Sequence, residues 1–292
     1  MSYDIQTGTI NKGIRKEVVD AMVKQTAAQA YKFKQAVAIV STNAWKNTFF
    51  REDPDVLTGQ SGNVISGIPR GANFPQQTTK WEEVSVRIVK YGLEDSIPWE
   101  DIISGDINVQ SRILIKLTQG VVKAVDDAIF NSLSENLAAS RIQSYAITLG
   151  RYWSASSAAI IKDVFTAKAL IAKKNYDVGD LICFISPDDS TNILTFLADK
   201  GAQFPQLAAD VVRNGQIGKI GNVTFIESNS VPASYALLVK PKTCATYKEL
   251  VPLSSTTIED PYKSLKIRVV EEGTIELTDP LSVVLIKGTK AP

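Results

Sequence analysis

Few side chains in this sequence are of the types that carry out catalysis or bind metals. Its 292 residues include no histidine and two cysteines, Cys183 and Cys244. Without histidine there is no Ser-His-Asp triad, no Cys-His pair and no imidazole general base. Two separate cysteines do not make a structural zinc site, which needs four nitrogen or sulfur ligands. The remaining candidates for chemistry are carboxylates, lysines and tyrosines.

Acidic residues occur as neighbours at three places, which are Asp126 and Asp127, Asp188 and Asp189, and Glu271 and Glu272. Neighbours point in different directions on a helix or strand, so adjacency alone does not make a catalytic dyad. An oxygen-only metal site from such acids is a weak alternative. Cys183 lies in an apolar segment typical of a core, and Cys244 has no histidine to activate it. We therefore predict no catalytic residue, no metal site and no cofactor.

The segment NGQIGKIGN, residues 214–222, has the glycine content of a phosphate-binding loop. Its glycines are three apart, unlike the G-x-G-x-x-G pattern, and Lys219 is followed by Ile220 rather than by Ser or Thr. It also lacks the strand-then-helix context that such a loop requires. The segment is therefore predicted to be a hairpin turn.

The composition is that of an ordinary globular protein, with 44% hydrophobic residues, 22% charged residues and a net charge of +1. No apolar run approaches the ~20 residues of a membrane helix, and the first residues lack the apolar segment of a signal peptide. The low cysteine content favours a reducing compartment. The near-neutral net charge gives no overall electrostatic case for nucleic-acid binding.

The chain is organised around a predicted long helix from Ser104 to about Leu137. Its apolar residues recur in steps of three and four and therefore share one face. They are Val109, Ile113, Leu117, Val121, Val125, Ala128, Ile129 and Leu133. About 30 residues at ~1.5 Å each give a rod of ~45 Å, far longer than an average globular helix. Such a rod suits a strut across a flat molecule.

Two segments before this helix are predicted to project from the body. Residues 1–48 form an arm, helical from Lys16 to Val40, whose seven basic and three acidic residues give a net charge of +4. Residues 49–80 contain four glycines and three prolines, which break helices and suit a long, open hairpin. Aromatic residues lie in and beside it at Trp45, Phe49, Phe50, Phe74 and Trp81. Because a lone hairpin is marginal in water, we expect it to pack on another subunit.

The other elements mix helices and strands without a regular βαβ repeat, so the predicted fold class is α+β. Helices are predicted at residues 160–173 and from Pro187 through Ala198. Strands are predicted at residues 83–91, 180–186, 223–226, 235–239, 265–271 and 281–286.

The order of these parts resembles the major capsid proteins of tailed viruses, which have the Hong Kong 97-type fold. The similar stretches are YGLEDSIPWEDI, DLICFISPDDSTNILTFL, NGQIGKIGNVTFIESNSVP and VVEEGTIELTDPLSVVLIKG. The resemblance implies an N-terminal arm at 1–48, an extended loop at 49–80, a peripheral-domain strand and spine helix at 81–138, an axial domain at 139–242, and returning peripheral-domain strands at 243–292.

The resemblance also implies a function: self-assembly into pentamers and hexamers that form an icosahedral virus head enclosing double-stranded DNA. The DNA would be contacted weakly, no membrane is involved, and portal and decoration proteins are candidate partners. The length leaves no room for a fused scaffold before the arm, so a separate scaffolding protein is implied. The protein would be assembled in the host cytoplasm and end in the virion. The expected subunit-interface residues are Lys12, Arg15, Lys16, Arg51, Ile65, Ile68, Arg70, Phe74 and Trp81.

Two alternatives stay open at this point. An encapsulin-type compartment shell would share the fold but hold a protein cargo. A soluble enzyme using carboxylates or lysine would instead show converging acids in a pocket and form no large assembly.

Overall fold

The longest element of the computed structural model is helix α1 (Ile107–Leu133), whose 27 residues span about 40 Å. The structure describes residues 23–25, 27, 31–52, 69–73, 81–100, 107–137, 141–199, 219–260 and 263–290. Leu117, Val121 and Val125 on the predicted apolar face are all buried. The helix ends at Leu133, and residues 135–137 that follow have positive φ angles, which a right-handed helix cannot contain. The predicted long helix is therefore confirmed, with an earlier end than expected.

A four-stranded sheet with the strand order β1-β9-β10-β4 packs against α1. Its strands are β1 (Ala38–Ser41), β4 (Val89–Pro98), β9 (Thr246–Asp260) and β10 (Ser264–Glu276). Strand β1 runs parallel to β9, and the other neighbours are antiparallel. Ile97, Ile267 and Val269 lie in the core that this sheet shares with α1. The long helix thus has its apolar face covered by the sheet.

The opposite face of this sheet carries two ion pairs between neighbouring strands. Arg268 Nη2 lies 2.6 Å from Glu94 Oε2, and Lys90 Nζ lies 3.0 Å from Glu272 Oε1. Both pairs connect the neighbouring strands β4 and β10. Exposed ion pairs contribute at most about 1 kcal/mol each. They keep this face soluble, while the buried face supplies most of the stabilisation.

A five-stranded sheet forms a second core and has the order β5-β11-β8-β6-β7. Its strands are β5 (Gln143–Ala146), β6 (Leu181–Ile185), β7 (Val223–Glu227), β8 (Tyr235–Val239) and β11 (Val283–Lys287). Two helices accompany it, α2 (Ile160–Ala172) and α3 (Pro187–Asp199). The bounds of both helices and of β6 and β8 lie within two residues of the predicted ones.

Strands β2 (Lys46–Glu52) and β3 (Trp81–Arg87) form an antiparallel pair in which Lys46 faces Arg87 and Glu52 faces Trp81. This pair is the base of a hairpin whose connection is the predicted extended loop. Of that loop, the structure describes the base and residues 69–73, and the remainder lies outside the described residues.

Two of the predicted segments do not form a single structural unit. The closing segment 243–292 contributes β9 and β10 to the four-stranded sheet but β11 to the five-stranded one, because β11 pairs with β5 and β8. In the arm, residues 23–25 and 27 are helical as predicted, whereas Ala38–Ser41 is a strand. The helix predicted to reach Val40 is therefore wrong at its end, since pairing with β9 determines the structure there.

Candidate assembly surfaces

The N-terminal segment is fixed to helix α1 by a buried carboxylate. Asp126 accepts hydrogen bonds from the backbone N–H groups of Lys32 at 2.9 Å and Phe33 at 3.3 Å. The Phe33 ring stacks on Phe184 with centroids 4.0 Å apart and meets Phe130 edge-on at 5.8 Å. A short stretch of the arm is thereby part of the core of the subunit.

A second buried carboxylate, Glu271 on β10, binds the same segment. It accepts hydrogen bonds from the Tyr31 hydroxyl and, at 2.8 Å, from the Tyr247 hydroxyl. Lys34 Nζ lies 2.5 Å from Glu271 Oε1 and 3.3 Å from Glu249 Oε1. Burial, reinforced by the Glu271 charge, raises the pKa of both tyrosines, so they remain hydrogen-bond donors. We call these five residues the Glu271 cluster.

Burial also raises the pKa of Asp126 to about 6, although the two backbone donors act in the opposite direction. A carboxyl with a higher pKa in the folded state than in the unfolded state stabilises the fold when protonated. That contribution is present below the ordinary pKa of 3.8 and is lost as the pH rises through about 6. The charge of Asp126 thus weakens the attachment of the arm near neutral pH.

We expect this effect in the free energy of unfolding of the unassembled subunit. Between about pH 4 and pH 7, the wild type should lose about 2–3 kcal/mol relative to an Asp126→Asn variant, which does not titrate. Denaturant unfolding at several pH values measures this difference. Asp127→Asn, at the adjacent half-buried residue, is the control and should lose slightly less stability than the wild type, because the Asp127 charge is the smallest of the causes that act on the pKa of Asp126. A difference between wild type and Asp126→Asn that is constant with pH would contradict the prediction.

The base of the β2–β3 hairpin is attached to the body by Arg51. This side chain is 7% exposed, and its Nε donates to the Leu277 carbonyl at 3.1 Å. Glu82 on β3 lies 3.7 Å from Arg51 Nη1 and 3.0 Å from Arg141 Nη2. Burial and the charge of Arg141 lower the pKa of Arg51, but a guanidinium stays ionised in proteins. The hairpin base is therefore held by contacts within the subunit.

Large apolar side chains are exposed in a short part of the chain formed by β1, the connection after it and β2. Ile39 is 51% exposed, Val40 42%, Trp45 56% and Phe50 62%. We call these four residues the β1–β2 surface. Strand β1 is an edge strand, and edges of this kind pair or pack readily with other chains. These four exposed side chains lie within a short stretch of the sequence, which makes this stretch a candidate for contacts with other subunits.

The expected interface residues fall into two groups. Arg70 is exposed in a turn, Trp81 begins β3, and Arg51 has the internal contacts described above. The others lie outside the described residues and are Lys12, Arg15, Lys16, Ile65, Ile68 and Phe74. Ile39 and Val40 were not among the expected interface residues, because the segment was predicted to be helical as far as Val40, whereas Ala38–Ser41 is an edge strand.

The acidic neighbours separate into buried and more exposed members. Asp126 and Glu271 are buried as described, and Asp189 accepts hydrogen bonds from the hydroxyls of Ser186 at 3.0 Å and Thr289 at 2.9 Å. Asp188 instead pairs at the surface with Lys290 at 2.8 Å. Each buried member therefore accepts hydrogen bonds from groups elsewhere in the subunit.

Both cysteines are fully buried, and burial raises the pKa of the Cys244 thiol to about 12 and of the Cys183 thiol further. Such thiols are not nucleophilic at neutral pH. Within the described ranges, no group of three or more acidic or cysteine side chains is placed to hold a metal ion. Among the same residues, no helix has the length and apolar character needed to cross a bilayer.

The predicted hairpin turn near residue 220 is confirmed where the structure describes it. Gly221 and Asn222 both have positive φ angles, 59° and 66°, and Ile220 and Val223 exchange backbone hydrogen bonds. This is the two-residue turn that glycine and asparagine favour. Lys168 on α2 donates to the Gly221 carbonyl at 2.6 Å, which attaches the turn to the second core. Residues 214–218 lie outside the described part of the chain.

Solved structures with the same fold are shells of viruses and related particles. The capsid of cyanophage P-SCSP1u aligns with a TM-score of 0.66 at 12% identity, covering 98% of this chain and 92% of that chain. The mature capsid of bacteriophage PhiM1 gives 0.63 at 14% identity, covering 100% and 93%. A virus-like particle from Pyrococcus furiosus gives 0.63 at 9% identity, covering 93% and 98%. These similarities establish the Hong Kong 97-type fold.

Sequence comparison identifies the family. No curated protein matches the chain. A family model described as phage capsid protein matches residues 81–286, which contain α1, α2, α3 and β3 through most of β11. The match covers more than two thirds of the sequence and agrees with the observed fold. The β1–β2 surface precedes the matched residues. This chain is a member of the phage capsid protein family.

Proposed function

We propose that this protein is the major capsid protein of a tailed virus, and that its copies form the pentamers and hexamers of an icosahedral head enclosing double-stranded DNA. The observation that carries the proposal is the phage capsid family match over residues 81–286. The fold similarity to two phage capsids over nearly the whole chain supports it. The role is structural, and no catalytic residue is assigned.

The β1–β2 surface supports self-assembly. Its four apolar side chains face solvent in the isolated subunit, and burial of apolar surface is the main favourable term in association. Fixed contacts flank it in sequence, since residues 31–33 are attached at Glu271 and Asp126 and the hairpin base at Arg51. A rigid surface costs less conformational entropy on binding than a mobile one.

Other copies of this chain are therefore its main partners. Scaffolding, portal and decoration proteins are further candidate partners, assembly takes place in the host cytoplasm, and the final location is the virion. The basic arm residues Lys12, Arg15 and Lys16 and the loop residues Ile65, Ile68 and Phe74 are proposed to extend the contacts to neighbouring subunits. The near-neutral net charge of +1 suits a wall that holds DNA without tight binding.

A second candidate is an encapsulin-type shell with a protein cargo. The fold similarity to the Pyrococcus furiosus virus-like particle supports this alternative, since subunits of similar fold form that particle. The contents of purified native particles distinguish the two functions. Nuclease-protected double-stranded DNA supports the viral head, whereas a single abundant protein and no nucleic acid supports the compartment.

The β1–β2 surface can be tested by substitution. Trp45→Ser combined with Phe50→Ser is expected to leave the subunit folded, because both side chains are more than half exposed. Loss of two aromatic anchors should weaken subunit association by about 2–4 kcal/mol and prevent shell formation. Circular dichroism and light scattering measure the two properties. Leu149→Ser, at an exposed residue in another turn, is the control. Equal assembly of the wild type, the double variant and the control would contradict the role of this surface.

A further inference from the structure

Helix α1 has an exposed face whose charges are all of one sign over most of its length. From residue 107 to residue 125 the sequence contains Arg112, Lys116 and Lys123 and no acidic residue. All three side chains are exposed, and none has a hydrogen bond or ion pair with another described residue. At 100° per residue they fall within an arc of about 40°, spread over about 16 Å of the helix. We call them the α1 basic stripe.

The stability of the helix does not explain this arrangement. Arg112 and Lys116 are four residues apart, and like charges at that spacing destabilise a helix by about 0.2–0.5 kcal/mol. The first turn contains no acid that could pair with them. The first acids on the helix are the buried Asp126 and the half-buried Asp127, which follow the stripe.

The other side of the subunit shows the contrast. On the exposed face of the four-stranded sheet, Lys90 and Arg268 are each paired with a glutamate on the adjacent strand. These two cations of the sheet face are thus neutralised within the subunit, whereas the described residues provide no anionic partner for the three cations of the α1 basic stripe.

We propose that the α1 basic stripe lies on the inner side of the shell and contacts the phosphate backbone of the packaged duplex DNA. The inference rests on the proposed function, because a head that encloses DNA brings a dense polyanion to this surface. Duplex DNA presents one charge per about 1.7 Å of its axis, so a row of three cations meets phosphates in any register. Apart from the cations, the exposed residues between Arg112 and Lys123 are Ile115, at 36% exposure, and polar Gln119, and neither is aromatic. This composition suits sequence-independent phosphate contacts better than a protein interface, which is built around aromatic anchors.

The test measures binding of the purified subunit to random-sequence duplex DNA as a function of salt concentration. The logarithm of the affinity falls with the logarithm of the salt concentration, and each phosphate contact steepens this slope by about 0.9. The combined variant Arg112→Gln, Lys116→Gln and Lys123→Gln should lower the slope by about 2–3 units, and each single change by about 1. A control variant removes the same charge elsewhere, at the exposed Lys162, Lys173 and Lys242, and should keep the wild-type slope.

Electron microscopy of the same variants separates this inference from the proposed function. Normal shells and a lowered slope in the combined stripe variant would support the proposed contact between the α1 basic stripe and DNA. Equal slopes for the stripe and control variants would overturn it, even if all proteins form shells. Loss of shells with an unchanged slope would assign the stripe to a protein contact, such as an acidic scaffold, and would also overturn it. Failure of the wild type to form shells would count against the proposed function and leave the slope comparison valid.

Discussion

Replacing Glu271 with glutamine is expected to destabilise the unassembled subunit by about 3–5 kcal/mol. The Glu271 carboxylate is fully buried and faces the Lys34 ammonium, whose side chain is 9% exposed. Removing one member of a buried ion pair leaves the other charge buried without its main partner. Glu249, at 3.3 Å, is partly exposed and compensates only in part. The two tyrosine hydroxyls would also lose a charged acceptor, which is stronger than a neutral one.

Glu272→Gln provides a matched control, since it makes the same chemical change at the next residue. Glu272 lies on the opposite face of the sheet and pairs with Lys90, which is 65% exposed. Its loss should cost no more than about 1 kcal/mol. Denaturant unfolding measures both variants, and tryptic cleavage after Lys32 and Lys34 reports on the arm attachment. Cleavage should accelerate in Glu271→Gln alone. Similar stability and cleavage for the two variants would show that the Glu271 cluster does not anchor the arm.

Replacing residues 55–68 with a short Gly-Ser linker is expected to leave the subunit folded and to abolish shells. The hairpin base does not depend on this segment, because β2 and β3 pair over their full lengths and Arg51 binds the Leu277 carbonyl. The replaced segment contains Val64, Ile65 and Ile68, which we propose pack on a neighbouring subunit. Circular dichroism and the unfolding midpoint should match the wild type, and electron microscopy should show no closed particles.

A second variant separates the length of this loop from its apolar contacts. Val64→Ser, Ile65→Ser and Ile68→Ser together keep the length and the glycines. If apolar packing on a neighbour is the cause, this variant should also fail to form shells. Normal particles from the linker variant would show that the loop is dispensable and that its assignment to subunit contacts is wrong.

Elements with strong local patterns could be predicted from the sequence. The three-and-four spacing of apolar residues predicted α1, and the apolar run before Pro187 predicted β6. Strand β9 has 15 residues but was not predicted, because Pro252 and the polar run 254–257 obscure its alternation. The proline is tolerated because β1 ends opposite Glu249, so β9 has a neighbour on one side only at Pro252.

The Glu271 cluster had no local signal in the sequence. Tyr31 and Lys34 contact Glu271 across more than 230 residues of chain, so only the folded structure brings them together. The acidic neighbours were only partly interpretable from the sequence. Their adjacency argued against a catalytic dyad, but it did not indicate which member of each pair is buried. The predicted arm helix was extended to Val40 in error, because a short apolar stretch such as 38–40 fits the end of a helix as well as an edge strand.

Electron microscopy of the purified protein under assembly conditions tests the proposed function most directly. A subunit with the exposed β1–β2 surface and the phage capsid fold should form closed, icosahedral particles built from pentamers and hexamers. Light scattering on the same samples should show a single large species at high protein concentration. A stable, monodisperse monomer under every ionic strength, pH and crowding condition tried would contradict the assignment as a capsid subunit.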